Sequence, residues 1–309
     1  MKKQTVKSLV IAGSLFALLA TSKFTIDRVT SNYNIRIISY GTEQQSEIHF
    51  VAHRGYSSMY PDNTVESLGA CNELQCIEGI ECDVRLTKDN ELVLMHNDYI
   101  GFNRVEDFTY EELRNTDLKD YLIARSGLFK GYNFKEQEVL AKRFETLDKG
   151  SYTLCTLEDL LRTRDKSKLL FIDIKFSGYN DELLMTKIGE LIRGEENVIV
   201  QSFNVGMLKR MLELYPEYSY QLLIDSRIEL KSIDYMFDAY GIKYTILGED
   251  TVEDLIEHDK LVSLWTVDSY RDFKELVDEY GEYNDDIYYI TDNPDMLSYQ
   301  YAKELKRVR

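Results

Sequence analysis

The 309-residue chain has four histidines, and two of them stand where strands would end. His53 lies in Ala52-His53-Arg54-Gly55, and His96 follows the apolar run 91–95. An imidazole can give or take a proton near neutral pH. Arg54 adds a fixed cation, and Gly55 lets the chain turn sharply behind it. Glu81 and Asp83 flank Cys82, so on a strand the two carboxylates share one face and the thiol takes the other. Burying two such charges together is costly unless a cation neutralises them, which points to oxygen ligation of a divalent metal. Asp173 and Lys175 repeat the two-residue spacing near another strand end, as a buried ion pair or as part of the same site. His49, at the start of a strand, and His258, beside Asp259 at a helix end, are assigned no direct catalytic role.

Positioning these groups requires strands whose ends converge. Short β-branched and aromatic runs alternate with amphipathic stretches from residue 48 onward, as repeated βα units would. The runs 48–53, 79–84, 91–96, 168–175, 197–203, 218–225, 244–248, 261–267 and 286–291 are strand candidates. Only Thr87-Lys88-Asp89-Asn90 separates the second from the third, too little for a parallel crossover of about a dozen residues. The 91–96 run is therefore an excursion, and eight staves remain. Helices are expected at 204–215, 270–280 and 294–305 among others. The pattern predicts an α/β fold, a TIM-type (βα)8 barrel with an insertion at about 97–155 after the second barrel strand, where active-site groups sit at the carboxyl ends of strands. Asn63 with Glu66 fits a helix capping box that would fix the loop after His53.

Composition sets outer limits. Hydrophobic residues at 44% and charged residues at 29% suit a globular domain with a sizeable core. A net charge of -17, from 54 acidic and 37 basic residues, repels nucleic-acid phosphates, so a phosphate-handling site must build its own positive pocket. Cys71, Cys76, Cys82 and Cys155 are too few and too irregularly spaced for a disulfide framework or a zinc site. Lys2, Lys3 and Lys7 precede an apolar run at 9–20, the layout of a secretory signal or a short anchor. Residues 1–22 are read as that segment, 23–47 as a polar lead-in and 48–309 as the barrel domain. A secreted or cell-surface location, with attachment to the membrane or envelope through the N-terminus, follows as an expectation.

The landmarks together resemble the glycerophosphodiester phosphodiesterase family. They are His53-Arg54-Gly55, Pro61-Asp62-Asn63-Thr64, Glu81 with Asp83, His96, Asp173 with Lys175, Ser202-Phe203, Trp265-Thr266-Val267 and Thr291-Asp292-Asn293-Pro294. The resemblance implies metal-dependent hydrolysis of a glycerophosphodiester to glycerol 3-phosphate and an alcohol. It implies His53 and His96 as the acid and base pair, and Glu81, Asp83 and Asp173 as ligands of Ca²⁺ or Mg²⁺. Arg54 and Lys175 would bind the phosphate, with Trp265 lining the substrate pocket. Asp173 and Asp62 stand where the family usually has glutamate, and Asn97 where aspartate is common. Related barrels cleave lysophospholipids or phosphoinositides, and the insertion carries Phe102, Phe108, Tyr110, Phe129, Tyr132 and Phe134. A lipid phosphodiester is thus the alternative substrate, and a non-catalytic surface binding protein the more distant alternative.

Overall fold

The computed structural model describes residues 48–118, 152–248 and 250–308. The N-terminal apolar run, the lead-in up to residue 47, and residues 119–151 of the insertion with Phe129, Tyr132 and Phe134 lie outside them. Among the described residues no helix is long and apolar enough to cross a membrane.

The strands in chain order are β1 (His49–Ala52), β2 (Gly79–Leu86), β3 (Leu92–Leu94), β4 (Tyr99–Ile100), β5 (Asn103–Arg104), β6 (Leu169–Ile174), β7 (Val198–Ser202), β8 (Ser219–Ile224), β9 (Ala239–Lys243), β10 (Leu261–Trp265) and β11 (Ile287–Thr291). Strands β1, β2 and β6 to β11 pair as parallel neighbours, and the β1–β2 pairing closes the ring. The barrel therefore has eight staves. The 91–96 run is the excursion expected of it: β3 folds back antiparallel on β2, with Leu94 opposite Val84, through a turn in which Asn90 has φ 65°.

Helices cover the outside: α1 (Val65–Ala70), α2 (Tyr110–Asn115), α3 (Leu157–Thr163), α4 (Asp181–Leu191), α5 (Val205–Leu214), α6 (Arg227–Leu230), α7 (Thr251–Glu257), α8 (Tyr270–Glu279) and α9 (Pro294–Val308). Alternation along each strand divides the apolar side chains into two cores. Phe50, Ile80, Cys82, Val84, Ile172, Tyr240, Ile242 and Tyr289 face the helices, whereas Val51, Phe171, Ile199 and Ile290 fill the lumen. In α8, Phe273, Leu276 and Val277 are buried, spaced as one helical face. The Phe273 ring meets Phe50 at 5.2 Å and Tyr289 edge-on at 5.2 Å, a burial contributing about 1.5–3 kcal/mol. The described part of the insertion has its own small core of Val105, Leu113, Leu118, Tyr152 and Leu154 on Val93 and Met95 of the β3 segment. All four cysteines are free, and burial pushes the Cys71, Cys76 and Cys155 thiols up to about 12.

One strand differs from the sequence expectation. The stave placed at 244–248 is β9 at Ala239–Lys243, and Tyr244–Ile246 form a single 3₁₀ turn. Its lumen-facing residues are Ala239 and Gly241, small where opposing side chains fill the lumen. A Cβ on Gly241 would lie 2.6 Å from Leu223 Cδ2 and 2.8 Å from Gln221 Nε2. Gly241→Ala is therefore expected to destabilise the protein by about 1–3 kcal/mol, measured by denaturant unfolding. An unchanged midpoint would contradict a filled lumen.

Candidate active site

The parallel register of β1 and β11 sets Ala52 opposite Thr291, and His53 N donates to Thr291 O at 3.0 Å. The next pair out from the sheet is His53 and Asp292, whose side chains meet at 2.7 Å between Nδ1 and Oδ1. Beyond His53 the chain turns through Arg54 at φ 56° and Gly55 at φ 82°. A Cβ on Gly55 would fall 2.6 Å from Ser67 Oγ and 2.7 Å from the Ser67 carbonyl carbon, so a glycine is required there for both conformation and space.

The expected capping box is not formed. Thr64 caps α1 by accepting from Ser67 N, and Glu66 instead accepts from Thr153 N and Oγ1 at 2.8 and 2.9 Å. Asn63, at φ 56°, turns inward. Its Nδ2 donates to Asp83 Oδ2 at 2.8 Å, and its Oδ1 accepts from Asp83 N at 3.1 Å. Capping passes to Thr64 because the Asn63 amide satisfies a buried carboxylate.

Glu81, Asp83 and Asp173 offer carboxylate oxygens that lie within 4.8 Å of one another, and all three are buried. The β2–β6 register places Asp83 directly opposite Asp173. Lys175 Nζ lies 2.7 Å from Asp83 Oδ1 and 2.5 Å from Asp173 Oδ2. Arg54 pairs with Asp62 at 3.0 Å and Asp83 at 3.2 Å, and its backbone N donates to Glu81 Oε2 at 2.9 Å. Counting Asp62 and Asp292, five buried carboxylates face the fixed cations Arg54 and Lys175, an excess of three. Burial, reinforced by Asp83 and Asp173, pushes the Glu81 carboxyl well above its usual range, and burial with Asp83 also raises Asp173. Burial acts the same way on Asp83, but Lys175 and Arg54 overcome it and hold that carboxyl well below the usual range. Asp62 is pushed up to about 7, chiefly by burial. Asp173 Oδ1 is buried without a hydrogen-bond partner. Excess negative charge, hard oxygen donors and an orphaned buried oxygen fit a divalent cation held by Glu81, Asp83 and Asp173.

His96 arrives from β3. Its carbonyl accepts from buried Arg85 at 2.8 Å (Nη2) and 3.2 Å (Nε), and Arg85 also pairs with Asp98. The ring Nδ1 meets Asn97 Oδ1 at 2.8 Å. Burial lowers the His96 pKa to about 4, although Asp83 opposes the shift. The returning limb of the insertion links the two histidine loops: Val65 N donates to Thr153 O at 3.0 Å, and Leu94 N to Cys155 O at 2.9 Å.

Every residue expected at the site comes together. His53, Arg54, Glu81, Asp83, His96, Asp173, Lys175 and Trp265 line one small pocket of about 90 Å³. Trp265 meets Phe203 edge-on at 5.5 Å there. His96, Asp173, Lys175 and Phe203 are shared with an adjoining open cleft of about 840 Å³, bordered by Asp98, Tyr99 and Phe176. The two remaining histidines lie apart from this pocket: His49 stacks on Tyr288 at 4.9 Å, and His258 ends α7 against Asp254. Sequence reasoning assigned no role to Asn63 as a partner of Asp83, to Asp292, or to Gln201, which donates to Glu81 Oε1 at 3.4 Å and accepts from Gln221 at 2.8 Å. Continuing the β1–β11 pairing one residue past the strands would have found Asp292.

Residues 53–295 match the Glycerophosphoryl diester phosphodiesterase family. The chain is 29% identical over 240 residues to a glycerophosphodiester phosphodiesterase of Caldanaerobacter subterraneus, covering 74% of this chain and 88% of that one. It is 27% identical over 241 residues to one of Bacillus altitudinis, covering 73% and 89%. Among solved structures, an Oleispira antarctica phosphodiesterase in complex with the product sn-glycerol-3-phosphate superposes with TM-score 0.63 at 19% identity, covering 83% of this chain and 96% of that one. A Thermotoga maritima glycerophosphodiester phosphodiesterase gives 0.59 at 20% identity, covering 83% and 100%. The match over residues 53–295, most of the chain, places it in the glycerophosphoryl diester phosphodiesterase family, and these structures share its barrel.

Proposed function

We propose that the protein hydrolyses glycerophosphodiesters to glycerol 3-phosphate and an alcohol. The observation that carries this reading is the meeting of two imidazoles, three carboxylates and two fixed cations in one small pocket. A phosphodiester is already anionic, so attack on it needs charge neutralisation and a held nucleophile. Arg54 and Lys175 supply fixed positive charge, and a Ca²⁺ or Mg²⁺ ion on Glu81, Asp83 and Asp173 would supply the rest. In the proposed reaction the glycerol hydroxyl beside the diester attacks phosphorus and one imidazole takes its proton. The P–O bond to the alcohol breaks and the other imidazole, entering the step in its protonated form, gives its proton to the departing oxygen; water then opens the cyclic phosphate. The adjoining cleft beside His96 gives the alcohol half of the diester room. The basic flank and apolar run of residues 1–22 support export or surface attachment as the setting.

The activity is tested with purified protein, glycerophosphodiesters and Mg²⁺ or Ca²⁺, with and without a chelator. His53→Ala and His96→Ala are each expected to lower kcat by about 10²–10⁴-fold, and the chelator to abolish alcohol release. Asp173→Glu should cost less than His53→Ala. Metal-independent turnover, or turnover surviving both histidine substitutions, would sink the reading.

In the ligand-free protein burial favours the neutral form of His96, which has a consequence for stability. An unfolded histidine takes up a proton near 6.5, whereas folded His96 does so near 4. Between these values the unfolded chain binds more protons, so this contribution falls as pH is lowered from about 6.5 towards 4. Denaturant unfolding of metal-free protein across that window should show a steeper loss for the wild type than for His96→Asn. Parallel profiles would contradict a neutral, buried His96.

A further inference from the structure

We propose that Asp292 is a positioning residue for His53. Its carboxylate fixes the imidazole as the Nδ1–H tautomer, so that Nε2 faces the reaction pocket with its lone pair available. The catalytic consequence rests on the phosphodiesterase reading above, but the tautomer does not.

Asp292 Oδ1 accepts from Ser57 Oγ at 3.0 Å and lies 2.7 Å from His53 Nδ1. An oxygen already accepting from a hydroxyl meets Nδ1 as an acceptor again, so the proton across the short contact belongs to the imidazole. With Nδ1 protonated, Nε2 of the neutral ring is unprotonated. Nε2 lies 3.9 Å from Glu81 Oε2, beyond hydrogen-bond reach and on the side of the pocket that Glu81 lines. This is the nitrogen able to exchange a proton with a bound diester.

Asp292 is itself held firmly. Its side chain is 3% exposed, its backbone N donates to Asp268 Oδ1 at 2.9 Å, and its carbonyl accepts from Ser58 N at 3.3 Å. Asp268 Oδ1 also lies 3.5 Å from Thr291 Oγ1. The backbone of Asp292 is thus tied to the loop after β10 and its carboxylate to Ser57 in the turn after His53, and the imidazole cannot rotate about its ring axis without breaking the Nδ1 contact. A second group that orients a catalytic histidine in this way typically changes activity about 10- to 100-fold when removed.

The test combines spectroscopy with kinetics. Histidine ¹⁵N shifts and long-range ¹⁵N–¹H correlations are recorded on metal-free wild type, D292A and D292N at a pH where the imidazoles are neutral. Turnover of a glycerophosphodiester with Mg²⁺ is measured in parallel. The wild type should show His53 as the Nδ1–H form, a reading that needs no variant to fold. D292A should lose that form and about 100-fold in kcat, with KM changed by no more than about threefold. D292N keeps an amide oxygen that can accept from Nδ1 and should retain the tautomer, recovering kcat to within about tenfold of wild type. A wild-type His53 protonated on Nε2, or a D292A kcat within about threefold of wild type, would overturn the proposal. An Asp292-dependent Nδ1–H signal in a protein inactive on every diester would support the tautomer and overturn the phosphodiesterase reading instead.

Discussion

Everything at the mouth of this barrel answers to one constraint: more negative charge is buried there than the protein itself can neutralise. Asp83 stands at the centre, facing Asp173 across the β2–β6 register and touching Lys175, Arg54 and Asn63. A carboxylate nearly out of contact with water stays ionised only where cations and amide donors replace its hydration. Its neighbours Glu81 and Asp173, less well matched, are driven toward the protonated form by burial. A divalent cation held there would reduce this imbalance.

The barrel supplies only part of the arrangement. His53, Arg54 and Asn63 come from the turn between β1 and α1, which is held down by Gly55 packed on Ser67. His96 comes from a strand outside the ring, fixed by the two hydrogen bonds from Arg85 to its carbonyl and by the small core of the insertion. Residues 153–156 touch both loops, bonding to Val65 on one side and pairing with β3 on the other. The insertion therefore acts on the chemistry by holding the two histidine-bearing segments in one place, a positional demand that catalysis by proton transfer imposes.

Much of this was legible in the chain because it depends on local rules. Two-residue alternation put Glu81 and Asp83 on one face with Cys82 on the other, and a four-residue turn marked β3 as an excursion. Where the reading failed, a local signal had been overruled from a distance. The stave expected at 244–248 lies at 239–243 instead, where a Cβ at position 241 would meet Leu223 and Gln221. Asn63 looks like a helix cap, but a carboxylate twenty residues later claims its amide and Thr64 caps the helix instead.

The sequence by itself determined the eight-stave barrel, the position of the insertion and the identity of the groups that meet in the pocket, since periodicity, loop length and side-chain type are properties of short segments. Tertiary structure decided how those groups are paired. The Lys175 bridge between two acids, the neutral state of His96 and the contact from Asp292 to His53 arise from residues up to 239 positions apart. Charge and hydrogen bonding act through space, and only closure of the ring from β1 to β11 brings those partners within reach.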